Sequence, residues 1–211
     1  MIFQSRSVLS YLRGKEHDMK HFILASQSPR RQEILKDAGV VHTVIPSDAS
    51  EDISTLLPPE KYVMELALLK GAAVAKNAKK NDIVISADTV VVSEGEILGK
   101  PKDFDDAKAM LMKLSGKWHS VLTGYCVISG ANGEASVKYE ETKVKFRSLT
   151  ESEAVRYIRS GESMDKAGAY GIQGKGRLLV EKIEGDYFNV VGLPICALAK
   201  MLKDDFGIDI L

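Results

Sequence analysis

The stretch Ile83 to Val92 (IVISADTVVV) is rich in β-branched residues and carries one carboxylate, Asp88, near its middle. Its flanks, Ile83 to Ile85 and Val90 to Val92, read as a buried strand that needs cover on both faces of a sheet. An ionised carboxylate among such neighbours is costly unless it is paired or put to use. Asp88 therefore stands out from the other acidic residues. Shortly after the apolar triplet Ile83 to Ile85, it is expected at a strand end, where α/β sheets present catalytic groups.

The segments around this strand alternate in period without forming regular βαβ units. His21 to Ala25 is a short apolar run, followed by a turn and a helix through RRQEILKDAG with Gly39 as its stop. VVHTVIPSD reads as a second strand, and Pro58-Pro59 introduce a long helix through KYVMELALLKGAAVAKNAK. Glu94-Gly95 marks a turn, DFDDAKAMLMKLSG a helix, and Asn132-Gly133 the tip of a hairpin. Thr150 with Glu153 forms the pattern of a capping box before a further helix. LLVEKI is a last strand, and PICALAKMLKDDFG a closing helix with Pro194 in its first turn. The order predicts an α/β fold, a long mixed sheet flanked by helices.

The 211 residues are 45% apolar and 27% charged, an ordinary globular balance. Lys plus Arg and Asp plus Glu number 29 each, so no net field draws polyanions and a nucleic-acid partner is not expected. Any anion site has to be local. No apolar run approaches the ~20 residues of a membrane span. Cys126 and Cys196 lie in separate apolar segments with no metal-binding spacing, and read as small buried hydrophobes of a reducing, cytoplasmic environment. Residues 1–18 read as a poorly ordered N-terminal extension, and 19–211 as a single domain.

Three motifs carry chemistry. In Ser26-Gln27-Ser28-Pro29-Arg30-Arg31 a strand turns into a helix with Ser28 as N-cap and Pro29 at its first position. Two arginines in a first helical turn oppose the macrodipole, an arrangement that suits a bound phosphate. A solvated basic turn is the alternative, and the motif alone does not choose between them. Asp88, with Glu51 in the SDASED loop and the cations Lys70 and Lys100, could serve phosphoryl transfer, which needs carboxylates for metal and water and cations for developing charge. Taken singly, Glu51, Lys70 and Lys100 read as surface charges sooner than as site residues. In the glycine-rich DKAGAYGIQGKG, Gln173 offers a donor and an acceptor that can complement the N3–H and a carbonyl of uracil or thymine, although the segment by itself reads sooner as a plain surface loop. No P-loop, Rossmann or GxSxG pattern is present.

In order, LASQSPRRQEIL, ISADTVVVSEGEILGKP, HSVLTG, DKAGAYGIQGKG and IEGDYFNVVGLP resemble the Maf family of nucleotide pyrophosphatases, from about Lys20 to the C-terminus. The resemblance implies a sheet of the kind shared with inosine triphosphatases, in two lobes around a central cleft. It implies hydrolysis of a nucleoside triphosphate to monophosphate and pyrophosphate with a divalent cation, Mg²⁺ or Mn²⁺. By position, Asp88 would be the proton acceptor and, with Glu51, a metal ligand. Lys70 and Lys100 would flank the triphosphate, and Ser26, Ser28, Arg30 and Arg31 would bind phosphate. Arg30, Thr89 and Gln173 are similar to the dTTP/UTP subgroup rather than the 7-methyl-GTP subgroup. A homodimer is also implied. Cleansing of modified pyrimidine nucleotides, and regulation of septum formation through a partner, remain as rival functions.

Overall fold

The computed structural model describes residues 20–50, 53 and 57–211. The expectations for residues 1–18 and for Glu51 lie outside them. Strands β1 (His21–Leu24), β2 (His42–Val44), β3 (Asp82–Ser93), β4 (Glu96–Leu98), β5 (Trp118–Ser129), β6 (Ala135–Phe146) and β7 (Val180–Glu184) make one mixed sheet. Its order is β2-β1-β3-β5-β6-β7, with β4 paired to β3 off this path. β1 runs parallel to β2 and β3, and the other pairings are antiparallel.

The helices are α1 (Pro29–Asp37), α2 (Pro59–Ala75), α3 (Phe104–Leu114), α4 (Glu151–Arg159), α5 (Tyr187–Val191) and α6 (Ile195–Phe206). The local signals explain most of them. Thr150 and Glu153 close a reciprocal capping box on α4, and the Asp103 side chain caps α3. Gly207, left-handed at φ 65°, ends α6. Pro194 is the residue before α6 rather than its first turn, and the short α5 in EGDYFNVVGLP lacks any sequence periodicity to announce it.

β3 is the axis of the sheet, and alternation along it sorts the core. Ile83, Ile85 and Ala87 join Leu24, Leu35, Leu198 and Met201 in one cluster, while Val91, on the same face, joins a second with Leu111, Phe146 and Tyr170. The alternate residues Val84 and Val90 meet α2 on the opposite face. α2 packs so closely there that Ser86 Oγ donates to Ala67 O at 2.6 Å.

Asp88 does not end a strand: β3 is continuous for 12 residues. What ends is its partner. β1 pairs with β3 only as far as Leu24↔Ile85, and β4 begins at Val91↔Leu98. β5 pairs with β3 on its other side throughout. Residues 86–90 thus have a strand on one side and, among the described residues, none on the other. The sheet has a notch beside Asp88, which serves the purpose expected of a strand end.

The fit of α2 on β5 requires Gly124. A Cβ there would lie 2.2 Å from Val63 O and 2.7 Å from Met64 N, main-chain atoms that cannot rotate away. Gly124→Ala is expected to lower the unfolding free energy by about 3 kcal/mol, the upper end of what overpacking costs, because the atoms it meets are main chain. An unchanged denaturant midpoint would contradict this account of the α2 contact.

Candidate active site

A cavity of about 850 Å³ opens at the notch. Its lining comes from the β1–α1 turn, α2, the notch of β3, the segment after β4, the glycine-rich loop 165–174 and the end of α5. Lining residues belong to both large core clusters, Ile172 and Val191 to the first and Val91 and Tyr170 to the second, matching the expected cleft between two lobes. Because the notch interrupts the sheet, Asp88 on the α2 face and Thr89 on the opposite face both line it.

Five cationic residues, Arg30, Arg31, Lys70, Lys100 and Lys166, line the cavity, against three acidic ones, Asp88, Glu162 and Asp165. A chain of zero formal net charge thus concentrates positive charge at one place, as a local anion site requires. Asp88 and Lys70 form its most enclosed pair, Lys70 Nζ donating to Asp88 Oδ1 at 2.6 Å with both side chains about 15% exposed. A pair so placed fixes the carboxylate and keeps a cation beside it.

The β1–α1 turn delivers the arginines. Ser28 occupies the N-cap with Pro29 next, as expected, but its side chain makes no capping hydrogen bond; its N–H donates instead to Ser26 Oγ at 3.2 Å. Ser26 Oγ also accepts from Arg31 Nη1 at 3.1 Å. Arg31 Nε donates to Gly192 O at 2.8 Å, and Nη2 to Thr89 Oγ1 at 3.2 Å. Gly192 sits at φ 124°, a conformation that side chains disfavour and that suits glycine here.

Arg30 reaches across the cavity to Asp165, 3.1 Å away, tying α1 to the glycine-rich loop. Burial raises the Asp165 pKa, but hydrogen bonds from Lys166 and Arg30 outweigh it and hold the carboxyl below its usual range. Gln173 and Lys100 line the same space. Nine of the ten site residues expected from sequence, all but Glu51, therefore border one cavity.

The Maf-like protein family model matches residues 21–205. This chain belongs to the Maf family. It is 52% identical over 190 residues to a dTTP/UTP pyrophosphatase of Caldanaerobacter subterraneus subsp. tengcongensis, covering 90% of this chain and 91% of that one. A dTTP/UTP pyrophosphatase of Bacillus cereus is 48% identical over 203 residues, 96% of this chain and 98% of its own, a span that takes in residues ahead of Met19. A solved structure, the Staphylococcus aureus Ham1 protein, aligns with 60% of this chain and 72% of its own at 21% identity and a TM-score of 0.45, too loose a likeness to add to the fold.

Sequence reasoning passed over several residues that shape this Maf cavity. Asp165, Lys166 and Glu162 hold the glycine-rich loop: Lys166 Nζ donates to Asp165 Oδ1 and Glu162 O, and Glu162 accepts from Lys175 N at 2.9 Å. His119 supports the same loop. Its Nε2 lies 2.7 Å from Tyr170 Oη, and both rings pack edge-on to Phe146.

Burial pushes the His119 pKa down from 6.5 to about 4. The unfolded chain therefore takes up a proton between these values that the folded chain refuses, so stability is full above pH 6.5 and falls toward pH 4. The difference is on the order of 3 kcal/mol. Denaturant unfolding at pH 7 and pH 4.5 should show a larger acid-induced loss in the wild type than in His119→Phe, which has no proton to take up. Equal losses would mean that His119 is not held neutral by the fold.

Proposed function

We propose that this chain hydrolyses dTTP and UTP to the nucleoside monophosphate and pyrophosphate. The observation that carries the reading is the enclosed Asp88–Lys70 pair in a notch lined by further cations and by Gln173. The names of the relatives, at about half identity over most of the chain, support the same substrates.

In this reading the triphosphate lies along Arg30, Arg31, Lys70 and Lys100, and Ser26 and Ser28 add hydroxyl contacts. Asp88, oriented by Lys70, accepts a proton from the water that attacks the α-phosphorus. The bond from that phosphorus to the bridging oxygen of the β-phosphate breaks, and pyrophosphate leaves with its charge matched by the cations. Such catalysis is chiefly positioning and electrostatics, which suits a rigid cavity more than a nucleophilic side chain. Gln173 would pair with the pyrimidine edge, and Thr89 would bound the site on the far face of β3.

Maf nucleotide pyrophosphatases generally depend on a divalent metal. Among the described residues no group of three or more His, Cys, Asp or Glu could hold one. The donor set nevertheless fits Mg²⁺ or Mn²⁺, since Mg²⁺ is commonly bound by one or two carboxylates together with substrate phosphates and water. Asp88 would hold it, with Glu51 as the second carboxylate expected from sequence. When bound, the ion supplies charge neutralisation across the phosphates.

Pyrophosphate release with Mg²⁺ or Mn²⁺ across the common nucleoside triphosphates tests the reading. UTP and dTTP should exceed GTP and ATP in kcat/KM by at least about tenfold, the effect of one well-made hydrogen bond. Gln173→Ala should shrink that preference by a similar factor. A purine preference in the wild type would overturn the substrate assignment, and an unchanged preference in the variant would remove Gln173 from base recognition.

A further inference from the structure

The hydroxyl of Thr123, on β5, sits behind the cavity without lining it and is fully buried. It lies 2.9 Å from Thr89 Oγ1 and 2.9 Å from the main-chain carbonyl of Asn189. A carbonyl only accepts, so Thr123 spends its one hydrogen on Asn189 O. The bond between the two threonines is then donated by Thr89, whose own hydrogen is spent in turn. Toward Arg31 Nη2, 3.2 Å away, Thr89 can only accept, which is the role a guanidinium donor demands. The chain of bonds has one direction: Arg31 to Thr89 to Thr123 to Asn189 O.

The far end of this chain is held firmly. Asn189 Nδ2 donates to Val121 O and to Thr142 Oγ1, each at 3.0 Å. Thr142 Oγ1 donates to Asp186 O at 2.9 Å and accepts from Asp186 N at 3.0 Å. Thr142 and Asn189 are both fully buried, so the acceptor presented to Thr123 is fixed by β5, β6 and α5 together.

We propose that Thr123 is a positioning residue for the anion site: by committing the Thr89 hydroxyl as an acceptor, it sets the plane of the Arg31 guanidinium. Ser26 Oγ and Gly192 O hold two other nitrogens of that group, and Thr89 supplies the third point that defines the plane. Val at position 123 would keep the shape and remove the hydroxyl. Thr89 would then be able to turn its hydrogen toward Arg31 or the cavity, and its oxygen would no longer be committed as the third point. The inference rests on the reading of the cavity as a triphosphate site.

Calorimetric binding of inorganic triphosphate with Mg²⁺ present, which needs no turnover, is the primary test, alongside KM and kcat for UTP. Thr123→Val should weaken triphosphate binding and raise KM about tenfold, with kcat changed less than threefold, the scale of one lost hydrogen bond to a charged group. Thr123→Ser should stay within about twofold of wild type, because it keeps the hydroxyl. In an Arg31→Ala background Thr123→Val should add nothing, since the relay acts through Arg31. If Thr123→Val fails to fold, Thr89→Val and Thr89→Ser make the same comparison from the cavity side.

Unchanged affinity in the valine variant, an equal loss in the serine variant, or full additivity with Arg31→Ala would overturn the relay. So would a wild-type protein that does not bind triphosphate. Triphosphate binding that follows the expected pattern without turnover of any nucleotide would sustain the relay and defeat the proposed activity.

Discussion

Strand β3 changes neighbours along its length, and the site depends on that change. β1 accompanies it to Ile85 and β4 takes over at Val91, while β5 runs beside it throughout. A sheet paired on both sides would bury residues 86–90 among hydrogen-bonded strands and set Asp88 and Thr89 apart on opposite faces. The notch instead gives one cavity access to both. Continuous pairing with β5 keeps this stretch extended, so the opening costs little rigidity. Catalysis by positioning needs that combination of an accessible carboxylate and a backbone that does not yield.

Charge is organised on the same local principle. The chain has no net charge to steer an anion from a distance, yet five cations and three acids meet at the notch. Several of the cations are held by oxygen acceptors: Lys70 by Asp88, Arg30 by Asp165, and Arg31 by Ser26, Thr89 and Gly192. Lys70, Arg30 and also Lys166, which donates to Asp165, are held by carboxylates and partly neutralised before any ligand arrives, which limits repulsion among like charges in a partly buried space. The glycine-rich loop, tied to α1 through Arg30 and Asp165 and backed by His119 and Tyr170, closes the opposite wall.

Features encoded within a few residues were legible in the sequence. The capping box at Thr150 and Glu153, the Asn132-Gly133 hairpin and the two-residue turn at Glu94-Gly95 each state their geometry locally, and each is found. Asp88 was legible for a different reason: a carboxylate inside an apolar run is a conflict that only pairing or function resolves. Its placement at a strand end was wrong in form, because the end belongs to β1 and β4, and pairing between distant strands leaves no mark on the residues of β3. The Arg31–Thr89–Thr123 relay was hidden likewise. Its hydroxyls come from positions far apart in the chain, and threonine is a common strand residue whatever its partners. Gly124 looks like any glycine in a strand until α2 is laid across it.

The central claim is that the carboxylate at the notch does the chemistry. The most direct measurement is single-turnover hydrolysis of UTP by Asp88→Asn, with the fold checked by melting temperature. The variant keeps the size of the side chain and an acceptor for Lys70 but is far too weakly basic to take the proton from water. The rate should fall by about a hundredfold or more, as loss of a general base does, while the protein melts within a few degrees of wild type. A folded Asp88→Asn protein with near-wild-type single-turnover rates would contradict the account and move the proton acceptor elsewhere in the cavity.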